Sequence, residues 1–122
     1  MCIRDSISIV AEAIRNHSFT KKKISISIEG KILQDADRLD AIGAIGIARV
    51  FSVSGAKNRQ FYEPSDPFSK NRKIDDSKWA LDHFFKKLLL LENMMNTKAA
   101  MIEAKKRTRV LKNYLDSLKK EI

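Results

Sequence analysis

Three aspartates, Asp35, Asp37 and Asp40, lie close together in a stretch otherwise rich in small and apolar residues. A carboxylate is rarely buried unless it is paired with a cation or coordinates a metal. An aspartate on an apolar helix face therefore indicates a bound cation. Carboxylate oxygen favours magnesium or manganese, and added imidazoles extend the choice to iron, nickel or zinc. From spacing alone, an ion pair of Asp37 with Arg38 or Arg49 is the better explanation.

The sequence around Asp37 resembles a segment of a known enzyme superfamily. Ala36-Asp37-Arg38-Leu39 is similar to the tetrad that carries the distant metal-binding aspartate of the HD-domain metal-dependent phosphohydrolases, and Asp37 stands at the ligand position. Segments 16–19 (Asn-His-Ser-Phe) and 83–88 (His-Phe-Phe-Lys-Lys-Leu) extend the resemblance. The resemblance runs from about residue 14 to the C-terminus. Within the superfamily, the sequence is most similar to a bacterial branch whose members are thought to hydrolyse nucleoside triphosphates and related phosphoanhydrides.

This resemblance implies an all-α, HD-domain-like helical bundle, incomplete at the N-terminus, with about four to six helices and one long loop. It implies that Asp37 is a metal ligand, that His17 is a catalytic residue near the substrate phosphate, and that Asp40 orients its neighbours by hydrogen bonds. Guanidinium and ammonium groups bind phosphate oxygens well. The expected substrate contacts are Arg38, Arg49, His83 and Lys87. By residue type alone, His17 also fits a hydrogen-bonded core position, and these four fit ion pairs or the surface.

The first histidine and the His-Asp pair of that superfamily have no counterpart in the sequence. Its two histidines are His17 and His83, and neither precedes an aspartate. The resemblance therefore implies the C-terminal part of a longer enzyme. Residues 1–6 resemble a translated sequencing adaptor and are expected to be a non-native leader, and residues 7–122 are expected to be part of one domain. The implied reaction is hydrolysis of phosphoanhydride or phosphoester bonds, with a nucleoside triphosphate cleaved to monophosphate and pyrophosphate. We expect the 122-residue chain alone to be inactive.

Composition fits one helical domain without disulfides. Hydrophobic residues make up 43% of the chain, and there are four glycines and two prolines, which favours an α-rich fold. The single cysteine, Cys2, excludes an internal disulfide framework. The sequence has neither a transmembrane pattern nor a secretory signal pattern, so we expect no membrane association and a cytoplasmic setting.

The net charge of +9 leaves two other functions open. Its lysines and arginines form separate clusters, which favour solvated helix faces but also suit a polyphosphate or a nucleic acid. We expect a nucleotide or another phosphorylated small molecule as the partner. The alternatives are a basic helical nucleic-acid-binding module, less favoured, and a non-catalytic protein-interaction module.

Hydrophobic periodicity predicts the elements that position these residues. The first helix is expected over 6–16, with an inward apolar stripe at Ile7, Val10 and Ile14 that His17 continues. After an exposed connection at 21–23 and an extended lead-in near 24–28, a second helix is expected to Ala41. Its expected apolar side is Ile32, Leu33, Ala36 and Leu39, and Asp37 is expected to face inward.

The second half of the chain is predicted to contain a small-residue segment, a loop and two helices. Segment 41–53 has glycines that permit close packing, and Gly43 is expected to mark a bend. Residues 56–76 are expected to form a loop, either a lid or a mobile insertion. Asp76 or Ser77 is expected to cap a third helix over 78–95, whose predicted apolar face is Leu81, Phe84, Phe85, Leu88, Leu91 and Met95. A fourth helix is expected from the Thr97 cap to Lys120, with Ala100, Ala104, Leu111, Leu115 and Leu118 inward.

Overall fold

The computed structural model describes residues 3–17 and 27–122. Within these ranges the chain forms five α-helices and one 3₁₀ helix, which confirms the all-α fold class. They are α1 (Ile3–Asn16), α2 (Ile28–Asp40), α3 (Gly43–Ala56), α4 (Asp82–Lys86), the 3₁₀ helix (Leu88–Met94) and α5 (Lys98–Glu121). The connection predicted at 21–23 and most of the extended lead-in at 24–28 lie outside the described residues.

The core is built on the long helix α5. Thr97 caps its first turn by accepting a hydrogen bond from the backbone N–H of Ala100, as predicted. Its expected inner stripe is buried and packs against α3, α2 and the 3₁₀ helix. Across from α5, the ring of Phe84 stacks on Tyr114 with centroids 5.8 Å apart. The five predicted core positions on α5 are therefore correct.

The predicted third helix is wrong in its extent. Residues 78–81 are not α-helical; α4 begins at Asp82, ends at Lys86, and is followed by the 3₁₀ helix. Lys87 has φ −131° and ψ −59°, which breaks the α-helical hydrogen-bond ladder between the two. The apolar face was nevertheless identified correctly. Leu81, Phe84, Leu88, Leu91 and Met95 are all buried, because a broken helix can still place the same residues inward.

The apolar stripe of α1 faces solvent in the described structure, contrary to expectation. Ile7, Val10 and Ile14 are each more than half exposed. On α2 the expected apolar side is wrong for Ile32 (54% exposed) and Leu33 (38% exposed), whereas Leu39 is partly buried and packs against the core. The two helices pack on each other through other faces, because the buried positions of α2 are the polar or small residues Gly30, Gln34, Asp35 and Arg38.

These buried polar residues fasten α2 to the start of α5. The Asp35 carboxylate accepts hydrogen bonds from the backbone N–H groups of Asn96 (2.7 Å) and Thr97 (2.9 Å) and from the Thr97 hydroxyl (2.8 Å). The Asn96 amide donates to the Gln34 side chain at 2.9 Å. We call Gln34, Asp35, Asn96 and Thr97 the α2–α5 joint. Its carboxylate is satisfied by unpaired N–H donors at a helix start, which explains why it is buried without a cation.

A sharp turn between α2 and α3 depends on two glycines. Gly43 has φ +79°, a backbone conformation that favours glycine, and this confirms the predicted bend. A Cβ atom at Gly46 would lie 2.2 Å from the Ala41 carbonyl oxygen, so only glycine fits. Among the described helices none is by itself long and apolar enough to cross a membrane; α2 and α3 pass together only as a pair bent by 67°.

Candidate functional site

The turn between α2 and α3 forms one side of an open cavity of about 360 Å³. Its walls come from the end of α2, the inner face of α3, the segment after α3, and α4 with the residue that follows it. The cavity falls within the size range of small-molecule sites. Its charged and imidazole lining residues are Asp37, Arg49, Lys57, Arg59, Asp76, His83 and Lys87. Four of these seven are cationic and two are carboxylates.

Asp37 lies at the edge of this cavity and is exposed to solvent. The expectation that it faces inward is therefore wrong. Gln34, Asp35 and Arg38 occupy the buried face of α2, so Asp37 stands on the opposite, solvated side. Its charge still acts on the site, because Asp37 contributes with Asp40 to raising the pKa of Arg49. Asp37 thus combines solvent access with a position on the cavity wall, as an exchangeable ligand requires.

Arg49 is held at the cavity by Asp40. The Arg49 guanidinium lies 2.7 Å from the Asp40 carboxylate, and both side chains are about half exposed. The hydrogen bond and charge of Arg49 hold the pKa of Asp40 below its ordinary value. Asp40 does not itself line the cavity. It therefore positions Arg49, which agrees with its expected role as an orienting carboxylate.

The segment after α3 adds two cations to the site. Lys57 caps the C-terminus of α3 through backbone hydrogen bonds, and the Arg59 backbone N–H donates to the Ser54 carbonyl at 2.8 Å. Both side chains line the cavity, and neither forms an ion pair with a carboxylate of the described residues. The loop predicted at 56–76 thus contributes directly to the cavity wall through its first residues and through Asp76.

His83 is held by Asp76 on the α4 side of the cavity. His83 Nδ1 lies 2.9 Å from Asp76 Oδ2, and the Lys86 ammonium donates to Asp76 Oδ1 at 2.8 Å. A carboxylate only accepts hydrogen bonds, so Nδ1 carries the proton. Burial alone would raise the pKa of Asp76, but the hydrogen bonds from Lys86 and His83 hold it below its ordinary value. Asp76 is therefore ionised and fixes the imidazole.

Two of the residues predicted for the site lie elsewhere. Arg38 is buried and its guanidinium donates to the Met94 carbonyl, so it joins α2 to the 3₁₀ helix and does not line the cavity. His17 follows α1 with Nδ1 donating to the Ile14 carbonyl at 2.6 Å, and it does not line the cavity either. The structure brings together Asp37, Arg49, His83 and Lys87.

Sequence reasoning did not identify Lys57, Arg59 and Asp76 as site residues. Each belongs to the segment predicted as a loop, where charged residues are common. Asp76 follows Asp75 directly, and it was considered only as a helix cap. Their positions depend on the backbone path after α3 and before α4, which periodicity does not reveal. A charge-rich loop next to a predicted ligand-bearing helix was the one available signal.

The described residues do not fit a metal site on their own. Among them, no group of three histidine, cysteine, aspartate or glutamate side chains converges. The second carboxylate of the cavity, Asp76, is already bonded to His83 and Lys86. Asp37 is thus a single available carboxylate. A metal ion held by Asp37 would need further ligands beside that carboxylate.

Comparisons with known proteins were made for the sequence and for the structure. No family model matches the chain. The chain is 45% identical over 100 residues to the uncharacterised Bacillus subtilis protein YpgQ, covering 82% of this chain and 43% of that one. The structure resembles that of YpgQ in complex with ADP, with a TM-score of 0.78, 40% identity, and coverage of 99% and 55%.

A second solved structure is similar by the same measures. It is an HD-superfamily hydrolase from Bacillus thuringiensis, with a TM-score of 0.75, 41% identity, and coverage of 98% of this chain and 55% of that one. The chain thus spans about half the length of the relatives it matches. At this identity the likeness extends beyond the fold to the sequence.

Proposed function

We propose that this chain, whose structure is similar to that of an HD-superfamily hydrolase, forms the C-terminal part of a metal-dependent phosphohydrolase acting on phosphoanhydride or phosphoester bonds of nucleotides. The favoured reaction cleaves a nucleoside triphosphate to monophosphate and pyrophosphate. The setting proposed for it is cytoplasmic. The single observation that carries the proposal is the cavity, which is lined by Asp37 together with four cationic side chains and His83.

The charge of the cavity supports a polyphosphate ligand. Arg49, Lys57, Arg59 and Lys87 surround a space that holds two carboxylates, of which Asp76 is paired with His83 and Lys86. Guanidinium and ammonium groups arranged around an open cleft attract anions and offset charge on phosphate oxygens. The same cations would stabilise negative charge that develops when a phosphoanhydride bond breaks.

A nucleotide is the proposed class of ligand. The structure of YpgQ that this chain resembles is in complex with ADP, which supports a nucleoside polyphosphate here. The cavity volume suits a phosphate chain with part of the sugar, and its apolar lining residues include Val50, Val53 and Leu88. The cations lie on the same walls as these apolar groups, so the cavity provides both kinds of contact that a nucleotide needs.

A divalent ion is implied by the superfamily, and Asp37 is the residue proposed to hold it. Such an ion, held by Asp37 and further ligands, would neutralise charge on the substrate phosphates and lower the pKa of a bound water. Because one carboxylate does not hold a metal well, we propose that the 122-residue chain alone is inactive. We expect no manganese-dependent release of phosphate or pyrophosphate above background. Turnover that is abolished by Asp37→Asn would contradict this expectation.

Nucleotide binding tests the proposal without requiring catalysis. We expect ADP and inorganic pyrophosphate to bind the chain in isothermal titration calorimetry at low salt. Arg59→Ala should weaken binding about tenfold, the loss of one charge-assisted contact. The matched control is Arg109→Ala, which removes the same charge from the exposed side of α5 and should leave binding unchanged. Equal effects of the two variants would indicate only nonspecific attraction and overturn the proposal.

A further inference from the structure

The hydrogen bond between His83 and Asp76 leaves one atom, His83 Nε2, available for a ligand in the cavity. His83 lines the cavity, and its Nδ1 is committed to Asp76. The structure gives Nε2 no hydrogen-bond partner among residues 3–17 and 27–122. The two ring nitrogens point in different directions, so fixing one aims the other. His83 therefore presents one unused nitrogen while its ring orientation is held from behind.

Asp76 is itself fixed by a second contact. Lys86 donates to Oδ1 at 2.8 Å while His83 donates to Oδ2 at 2.9 Å, so each carboxylate oxygen has its own partner. Both donors belong to α4, whereas Asp76 belongs to the preceding segment. The Asp76 side chain is 20% exposed and that of His83 is 29% exposed. The partial burial strengthens these contacts relative to a fully solvated pair.

We propose that Asp76 is a positioning residue that holds His83 so that Nε2 donates a hydrogen bond to a phosphate oxygen of the bound nucleotide. This inference rests on the proposed function. A phosphate oxygen is an acceptor, so Nε2 must carry a proton in the complex, and with Nδ1–H already on Asp76 the ring is then cationic. The proton comes from solvent. The Asp76 carboxylate balances the imidazolium charge on the side away from the ligand.

The surrounding charges are consistent with this role. Facing the cavity with His83 are Asp37 from α2, Arg49 from α3, Lys57 and Arg59 from the following segment, and Lys87 beyond α4. A bound polyphosphate neutralises the four cations and adds negative charge beside His83, which favours the imidazolium. Protonation of Nε2 and binding of phosphate are therefore expected to be coupled.

Imidazole nitrogen NMR tests this directly, because the chain has only two histidines. With ¹⁵N-labelled chain at pH 7.5, we expect pyrophosphate to move the His83 Nε2 resonance toward the value of a protonated ring nitrogen. His17, whose Nδ1 bonds the Ile14 carbonyl, is the internal reference and should not move. Before ligand is added, the His83 spectrum should show the proton on Nδ1, and Asp76→Ala should shift it to Nε2.

The binding constants supply the second readout. We expect Asp76→Ala to weaken pyrophosphate binding about tenfold, and Asp76→Asn, which keeps an oxygen acceptor for Nδ1 but loses the charge, to weaken it less. Asp76→Asn keeps one of the two acceptor oxygens and replaces the alanine variant if that variant does not fold. Pyrophosphate binding that leaves Nε2 unmoved, or a tautomer unaffected by Asp76→Ala, would overturn the inference while leaving the proposed function intact. Absence of any pyrophosphate binding would overturn both.

Discussion

Helix α2 supplies aspartates to two regions that differ in how completely their polar groups are satisfied. At the α2–α5 joint, Asp35 is 3% exposed and accepts three hydrogen bonds from the start of α5. At the cavity, two residues further along, Asp37 is exposed and has no hydrogen-bond partner among the described residues.

The difference shows that burial alone is a poor guide to function in this chain. A buried carboxylate whose two oxygens accept hydrogen bonds from backbone N–H groups and a hydroxyl, as those of Asp35 do, is part of the scaffold. A carboxylate that shares a cleft with cations and has its oxygens accessible can exchange partners with a ligand. The same separation applies to the arginines, since Arg38 is committed to a backbone carbonyl inside the fold whereas Arg59 lies on the cavity wall.

Replacing each aspartate in turn tests the contrast most strongly. Asp35→Ala should lower the free energy of unfolding by about 3 kcal/mol, because it leaves buried donors of α5 without an acceptor. Asp37→Ala should leave it unchanged, because that side chain is solvated. Urea unfolding of the two variants measures both effects. A large loss of stability in Asp37→Ala would show that the cavity carboxylate also belongs to the scaffold.

Two glycines of α3 provide a second comparison, between a crowded position next to the α2–α3 turn and an open position near the end of the helix. Gly46→Ala should destabilise the fold by about 2 kcal/mol, because the new methyl group would overlap the Ala41 carbonyl. Gly55→Ala has open space around the added atom and should stabilise the helix by about 0.7 kcal/mol. Thermal unfolding distinguishes the two. Equal effects would mean that the α2–α3 turn relaxes and that the cavity wall is not rigid.

The pH dependence of unfolding tests whether Asp76, a cavity residue, also contributes to the stability of the fold. Its pKa is lowered from 3.8 in the folded chain, so its contribution is present above the unfolded value and is lost as the pH falls through the folded value. Stability should therefore decrease below about pH 4, and Asp76→Asn should reduce that dependence. Denaturant unfolding at pH 7 and pH 3 measures it. An unchanged pH dependence in the variant would show that Asp76 contributes nothing to acid sensitivity.

The smallest effect is expected at the exposed pair of Asp40 and Arg49. Asp40→Ala should leave stability unchanged, since solvated ion pairs contribute little. It should weaken pyrophosphate binding about twofold, because Arg49 loses the carboxylate that holds it at the cavity. Calorimetry at low salt would detect this change. Stronger binding would instead show that Asp40 acts only as an anion that competes with the ligand for Arg49.

The sequence was most informative where periodicity and caps act locally. The stripe of α5 from Ala100 to Leu118 and the Thr97 cap follow from helix geometry alone, and both predictions are confirmed. The stripes of α1 and α2 were wrong in direction. Their spacing identifies an apolar face, but whether Ile7 or Ile32 meets another element depends on tertiary packing, which periodicity does not specify.

Part of the candidate site was predictable from the family resemblance. Asp37, Arg49, His83 and Lys87 were selected in this way, and the cavity brings them together, although Lys87 lies at the break after α4. Arg38 was selected by the same reasoning, yet a long side chain can reach inward to a backbone carbonyl 56 positions away. Lys57, Arg59 and Asp76 were missed because they lie in irregular segments. The backbone conformation of such segments does not follow from any periodic pattern in the sequence.

The single-residue break at Lys87 makes the length of this segment more critical than its composition. It separates α4, which aims His83 at Asp76, from the 3₁₀ helix, which anchors Leu88 and Leu91 in the interior. Each residue of an α-helix advances the rotation by about 100°. Deleting one position between Phe84 and Leu88 would therefore swing the imidazole away from its carboxylate, so sequence drift here is expected to proceed by substitution and hardly ever by insertion or loss.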